Sequence, residues 1–155
     1  MSRSRGHGVL SRLWREFELP AEDALHYADG RSYEVALDPA APGGFTVLAP
    51  FDLGEALEAD PTRVSPVDGR AVADLGERGL LWGGEGSHGS EGFLARLTAD
   101  RALIWAVFFT ESNPFERIRL SRNTAAFTST SGFEVAVDID DPGSPLPAPA
   151  PHRAV

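Results

Sequence analysis

Residues 102–109 read ALIWAVFF, and this stretch decides the fold because it contains no polar side chain. Its two alternating sets of positions are both apolar. One set is Leu103, Trp105, Val107 and Phe109, and the other is Ile104, Ala106 and Phe108. A strand that is apolar on both sides is buried on both sides. The sequence therefore predicts that residues 102–109 form the central strand of a sheet covered on its two faces.

The segments around this strand alternate between apolar and polar residues, as half-buried strands do. Before it, GFLARL (92–97) is separated from it by the polar turn TADR (98–101). After it come FERIRLS (115–121), with one half-buried face, and the hairpin AAFTSTSGFEVAVDI (125–139). The inward positions of this hairpin are predicted to be Phe133, Val135, Val137 and Ile139. This part of the chain predicts an antiparallel meander.

Two helices are predicted in the first half of the chain. Apolar residues recur at helical spacing over residues 8–18, which indicates an amphipathic helix that Pro20 ends. A second, short helix is predicted from Asp52, a suitable N-cap, up to Pro61. The apolar stripe of the first helix is expected to pack on the sheet rather than on a membrane.

Between and after these helices the sequence predicts strands and loops. ALHYADGRSYEVAL (24–37) is typical of a hairpin with an Asp-Gly turn, and FTVLAP (45–50) follows as a third strand. Residues 61–79 are predicted as loop, apart from one turn of helix or short strand near Val72. The whole pattern predicts an α+β fold: a mainly antiparallel meander of six to seven strands with an N-terminal amphipathic helix and one short second helix.

The chain is predicted to form a single domain over residues 1–141. Its length of 155 residues is enough for one hydrophobic core. Residues 1–7 are expected to be flexible. Residues 142–155 contain five of the prolines, and we expect them to form a disordered tail.

Composition and charge exclude several classes of protein. The chain has no cysteine, so disulfides and thiol catalysis are excluded. No apolar run approaches the roughly 20 residues that cross a bilayer, and no signal peptide is visible, so we expect a cytoplasmic protein without a membrane partner. The net charge of −9 repels nucleic acid and attracts cationic partners. All fourteen strong bases are arginine, which is typical of a GC-rich, bacterial genome.

The stretch WGGEGSHGSEGF (82–93) raises the question of phosphate binding. Gly84, Gly86 and Gly89 satisfy G-x-G-x-x-G, but a dinucleotide site needs a helix directly after this motif. The following residues alternate as a strand does, and Glu85 and Glu91 would repel a phosphate. No cofactor is predicted, and the glycines are interpreted as a loop that bends between two antiparallel strands.

No catalytic residue and no metal ligand is assigned from the sequence. Ser87, His88, Ser90 and Glu91 carry suitable groups, but neighbours in an extended loop rarely point at one another, so a triad would need residues from elsewhere. The four histidines lack metal-binding spacing. The cluster DIDDPG (138–143) lacks the calcium-loop pattern and is interpreted as a strand end.

The layout GEGSHGSEGF (84–93) followed by LIWAVFFTESNPF (103–115), with the size and acidity of the chain, resembles the immunity proteins of bacterial toxin systems. The resemblance covers residues 80–140 and implies a non-catalytic protein-binding module whose partner is a basic toxin domain. Because toxins that act on nucleic acid have basic clefts, acidic residues and one exposed aromatic are the expected contacts. The predicted contacts are Trp82, Glu85, His88, Glu91, Glu55, Glu58 and Asp60.

Two alternatives stay open at this point. One is a small structural or regulatory domain of another role. The other, which has less support, is a small-ligand binder or enzyme that uses the loop 83–92 with His88.

Overall fold

A computed structural model describes residues 2–146, with side chains from residue 8 onward. Its elements in chain order are α1 (Ser2–Arg15), β1 (Glu18–Pro20), β2 (Ala24–Tyr27), β3 (Ser32–Leu37), β4 (Phe45–Phe51), α2 (Leu53–Ala59), β5 (Val64–Pro66), β6 (Asp68–Asp74), β7 (Leu80–Glu85), β8 (Gly92–Leu97), β9 (Leu103–Phe109), β10 (Phe115–Ser121), β11 (Thr124–Ser129) and β12 (Glu134–Asp138). The predicted α+β class is confirmed. In the described part, neither helix combines the length and the apolar composition needed to span a membrane.

The largest sheet has seven strands in the order β4-β3-β2-β9-β8-β7-β6, and all its pairs are antiparallel. β9 is the fourth of the seven, so the central position predicted for residues 102–109 is confirmed. Trp105, Val107 and Phe109 are fully buried on one side of the sheet, and Ala106 and Phe108 are fully buried on the other.

Two different layers cover this sheet. A three-stranded sheet, β10-β11-β12, packs on the face that carries Trp105 and contributes Phe115 and Phe127 to that core. The opposite face is covered by α1, α2 and the two-stranded ribbon β1-β5, which contribute Leu10 and Leu53 among others. The sequence predicted the main sheet but not that β10, β11 and β12 separate from it as a second sheet.

A bulge reverses the sides predicted for the first two residues of β9. Arg96 pairs with Trp105 and Leu97 pairs with Leu103, so Ile104 is one extra residue on β9. Leu103 consequently packs on the α1 side, and Ile104 packs on the side of Trp105. The sides predicted for Leu103 and Ile104 are wrong, because a bulge shifts the alternation that a regular strand would keep.

Both predicted helices are present. α2 begins after Asp52, whose side chain accepts a hydrogen bond from the Glu55 amide at 2.9 Å, which confirms the predicted N-cap. α1 ends at Arg15, earlier than the predicted end at residue 18. Phe17, expected on the buried stripe of this helix, therefore lies beyond it and is 54% exposed.

The loop predicted over residues 61–79 is too long, whereas the short strand that was one alternative near Val72 is confirmed by β6. This stretch contains β5 and β6, with one turn of 3-10 helix (Gly76–Arg78) before β7. β6 is an edge strand of the large sheet, and it exposes most of both its sides. It therefore lacks the apolar alternation by which half-buried strands are recognised.

The segment after β12 packs back on the domain. The Tyr27 hydroxyl donates to Asp141 Oδ1 at 2.5 Å, and the Gly143 amide donates to the Tyr27 oxygen at 3.1 Å. Burial is the main reason that the pKa of Tyr27 is raised. The packed chain thus continues past the boundary predicted at Asp141. The disorder expected for residues 147–155 lies outside the described residues, as do the side chains of residues 1–7.

Candidate functional site

The glycine-rich stretch is the hairpin that joins β7 to β8, with residues 86–91 as its loop. Glu91, the last loop residue, is buried, and its Oε1 accepts a hydrogen bond from the His88 amide at 3.0 Å. Ser65 of β5 accepts a hydrogen bond from the Ser87 amide at 2.9 Å. These bonds close the loop and attach it to β5, so Glu91 serves the loop's own structure.

The loop does not have the surroundings of a phosphate site. It is followed by β8 and not by a helix, so no helix N-terminus is available to a pyrophosphate. Glu85, at the same end of β7, pairs with Arg70 at 3.1 Å. The observed strand agrees with the sequence-based argument against a dinucleotide site.

A serine, a histidine and a glutamate do meet in this loop. Nδ1 of His88 lies 3.4 Å from Ser87 Oγ and 3.3 Å from Glu91 Oε2. In a Ser-His-acid triad the acid holds one ring nitrogen, which leaves the other to take the proton of the serine. Here both partners share the same nitrogen, so the imidazole cannot relay a proton between them.

The carboxylates of DIDDPG take separate structural roles. Hydrogen bonds from Asn123, from Arg96 and from a second arginine hold the pKa of Asp140 below its usual value. Asp138 accepts the backbone amides of Asp140 and Asp141 at 2.9 and 3.1 Å. Among the residues that the structure describes, no group of three or more metal-ligating side chains is close enough to hold an ion.

His26, on β2, is completely buried. Its Nδ1 lies 2.8 Å from Ser32 Oγ, and its Nε2 has no hydrogen-bond partner among the residues that the structure describes. Burial lowers the pKa of His26 from 6.5 to about 3, because a charged imidazole would lose its hydration. Its role is therefore that of a neutral core residue.

This burial makes stability depend on pH. Below about pH 6.5 the unfolded chain binds a proton at His26 that the folded protein does not bind, so the free energy of unfolding falls as the pH falls. We expect a loss of about 3 kcal/mol between about pH 6.5 and pH 4 from this residue. His26→Asn keeps a polar partner for Ser32 and does not titrate. In urea titrations over this pH range, the wild type should lose about that much free energy of unfolding relative to the variant. A difference that stays constant with pH would contradict the assignment of His26 as a neutral core residue.

An apolar surface lies where α1 ends beside β7, with Phe17 and Val72 exposed and Trp14 buried. The ring of Trp82, which is half-buried, has its centroid 5.8 Å from Trp14 and 6.2 Å from Phe17. Val72 pairs with Trp82 across β6 and β7, so its side chain lies on the same face, and it is 61% exposed. We call these four residues, Trp14, Phe17, Val72 and Trp82, the aromatic patch.

A pocket of about 150 Å³ opens within the aromatic patch. It is lined by Trp14, Phe17, Trp82 and Leu97, and by two arginines, Arg15 and Arg101. Within the described side chains, neither guanidinium has an ion-pair or hydrogen-bond partner. The volume is below the roughly 300 Å³ at which small-molecule sites begin, and it suits one large side chain.

A larger groove of about 430 Å³ lies between the β3–β4 loop and residues 142–146. Among the described residues, its lining is made of small, proline and apolar residues with Thr46 and Ser144, and no charged side chain contributes to it. This groove offers no polar group that would orient a ligand as strongly as the two arginines of the pocket in the aromatic patch.

Two residues that line the pocket in the aromatic patch have unusual backbone conformations. Phe17 has φ 55° directly after α1, and Arg101 has φ 71° at the end of the turn between β8 and β9. Glycine is the usual residue at both kinds of position, because an L-residue there is destabilised by about 1 kcal/mol. Elsewhere in the described part of the chain, positive φ occurs at five glycines, Gly30, Gly44, Gly76, Gly79 and Gly132, and at two other residues, Asn113 and Arg122.

Four of the predicted contact residues, Trp82, Glu85, His88 and Glu91, lie on the β7–β8 hairpin. Trp82 belongs to the aromatic patch, and the His88 side chain is 79% exposed. Glu91 is only 7% exposed and is bound within its loop, so it offers little surface to a partner. Glu91 follows a glycine-rich stretch, which is typical of an exposed loop. The sequence therefore does not show that the loop folds over this side chain.

The other three predicted contacts surround α2. Glu55 and Glu58 lie on the exposed side of this helix. Asp60 is at its C-terminal end, where hydrogen bonds from Thr62 lower the pKa of its carboxyl. β5 follows α2 and carries Ser65 to the glycine-rich loop, so β5 links the two groups of predicted residues.

The sequence interpretation missed Phe17, Val72, Arg15 and Arg101 as site residues. They come from three separate segments, and three features bring them together: the early end of α1, the pairing of β6 with β7, and the turn between β8 and β9. No family model matches this chain, and no curated protein or solved structure is significantly similar to it. Its function is therefore inferred from its residues and their geometry.

Proposed function

We propose that this protein is a non-catalytic protein-binding module that contacts its partner through the aromatic patch. The observation that carries this proposal is the exposure of Val72 (61%) and Phe17 (54%) beside Trp82 on one face. Contiguous apolar surface of this kind marks interaction sites in soluble proteins, and tryptophan is a frequent anchor in them. The aromatic rings already pack on one another, so little side-chain entropy would be lost on binding.

Neutralisation of a bacterial toxin domain is the form of this function that the resemblance favours. The net charge of −9 would accelerate the approach of a basic toxin over distances longer than a contact. Glu55 and Glu58, on the exposed side of α2, are acidic residues that such a toxin could meet. We propose the cytoplasm as the place of this interaction.

The test compares two exposed apolar residues that lie on different sheets. Val72 belongs to the aromatic patch, whereas Leu120, 42% exposed, lies on β10 in the second sheet. The tagged wild type, Val72→Ser and Leu120→Ser are each used to capture proteins from a lysate of the native host. We expect one protein to be enriched by the wild type and by Leu120→Ser and to be lost with Val72→Ser. With the purified partner, calorimetry should give a Kd at least about tenfold weaker for Val72→Ser.

Equal binding by Val72→Ser and the wild type would overturn the proposed docking surface. For the toxin hypothesis, co-expression of this protein should rescue growth of cells that express the captured partner. An affinity that stays constant from low to high ionic strength would contradict recognition led by charge.

A further inference from the structure

We infer that the pocket in the aromatic patch binds an acidic peptide segment, in which one large apolar side chain is flanked by carboxylates. This inference rests on the proposed protein-binding function and names the chemistry of the partner at that site. The occupant is a segment of another protein, whose apolar side chain enters the pocket and whose carboxylates meet Arg15 and Arg101.

The positive charge at the pocket favours a ligand of negative charge. Arg15 and Arg101 are two of its six lining residues, and both guanidiniums are without a partner among the described side chains. Arginine binds carboxylates in a planar, two-pronged geometry that lysine cannot reproduce. A basic segment would be repelled here, although a partner that is basic as a whole could still be attracted at longer range.

The size and lining of the pocket determine the neutral part of the ligand. Its volume of about 150 Å³ and its three aromatic walls, Trp14, Phe17 and Trp82, suit one aliphatic or aromatic side chain. The three rings contact one another edge to face or tilted, with centroids about 6 Å apart, so the cavity is formed before a ligand arrives. A preformed cavity loses less free energy on binding than one that must be assembled.

The backbone at the rim gives a separate reason to assign a ligand here. Phe17 and Arg101 have positive φ at positions where glycine is favoured, and both line this one pocket. Glycine would remove the backbone strain at either position. Two of the four non-glycine residues with positive φ in the described part of the chain thus line this one pocket, and strained residues cluster at binding sites.

The test uses three synthetic peptides, Ser-Asp-Phe-Asp-Ser, Ser-Lys-Phe-Lys-Ser and Ser-Asp-Ala-Asp-Ser, added to the ¹⁵N-labelled full chain. The protein has three indole N–H signals, and Trp105 is fully buried away from the pocket. With the first peptide we expect saturable shifts of the Trp14 and Trp82 signals and no shift of Trp105. The lysine and alanine peptides should bind at least about tenfold more weakly.

A pair of matched variants separates binding from folding. Arg101→Gly should abolish the shifts and raise Tm by about 2–4 °C, because it removes both the guanidinium and the backbone strain. Arg122→Gly is the control, since Arg122 also has positive φ (55°), in the turn between β10 and β11, and does not line the pocket. It should raise Tm similarly and bind the first peptide like the wild type.

Equal binding of the aspartate and lysine peptides would overturn the inference, and so would wild-type binding by Arg101→Gly. Absence of any shift with the first peptide would overturn it as well. If these peptides fail while Val72→Ser still loses the captured protein, the proposed docking function stands and only the acidic ligand is wrong.

Discussion

Replacement of Gly84 by alanine is expected to lower the free energy of unfolding by about 3 kcal/mol or more. A Cβ atom at this position would overlap the backbone carbonyl oxygen of Asp68 and would stand 2.7 Å from Cε1 of Phe93. Asp68 is held in β6 by its pairing with β7, and Phe93 is completely buried, so neither group moves without disturbing the sheet. Urea unfolding followed by tryptophan fluorescence measures the loss.

Gly89→Ala is the matched control for this prediction. Gly89 belongs to the same G-x-G-x-x-G pattern, but a Cβ there would meet no heavy atom within 4 Å. Its substitution should change stability by less than about 0.5 kcal/mol. Equal stabilities for Gly84→Ala and Gly89→Ala would contradict the close approach of β6 to β7 in this structure.

The different roles of Gly84 and Gly89 show why the sequence could not identify the function of each glycine. Both are glycines of the same motif. Their roles differ because β6 pairs alongside Gly84 and not alongside Gly89. β6 arises from DGRAVAD (68–74), which has small side chains and exposes both its sides. A pattern that depends on burial cannot reveal a strand of this kind.

The features that the sequence predicted correctly depend on local pattern. β9 is apolar on both sides over residues 102–109, and α2 has an N-cap directly before it, so short stretches were sufficient. The division of strands between two sheets could not be predicted from a short stretch. Nothing in ESNPF (111–115) shows whether the next strand pairs with β9 or crosses to another layer. Trp82 was predicted as an anchor, but its neighbours Phe17 and Val72 depend on where α1 ends and on how β6 pairs.

Trp105→Ala is expected to lower the free energy of unfolding by about 3–5 kcal/mol, a large part of the stability of a typical domain. Trp105 is fully buried at the centre of the large sheet, between β2 and β8. Its indole Nε1 also donates a hydrogen bond to the backbone oxygen of Ile139 at 2.9 Å, just beyond the end of β12. The substitution therefore opens a cavity and removes one link between the two sheets, and urea unfolding measures the combined effect.

Trp105→Phe separates these two contributions. The Ile139 oxygen also accepts a hydrogen bond from Arg96 Nη1 at 3.1 Å, so it keeps one donor when the indole N–H is removed, and the cost should be only about 1–2 kcal/mol. In Arg96→Met the indole N–H remains as the donor. The double variant leaves the buried oxygen without a donor from either side chain, so its loss should exceed the sum of the single losses by about 1 kcal/mol. Strict additivity would show that Trp105 and Arg96 do not share this oxygen.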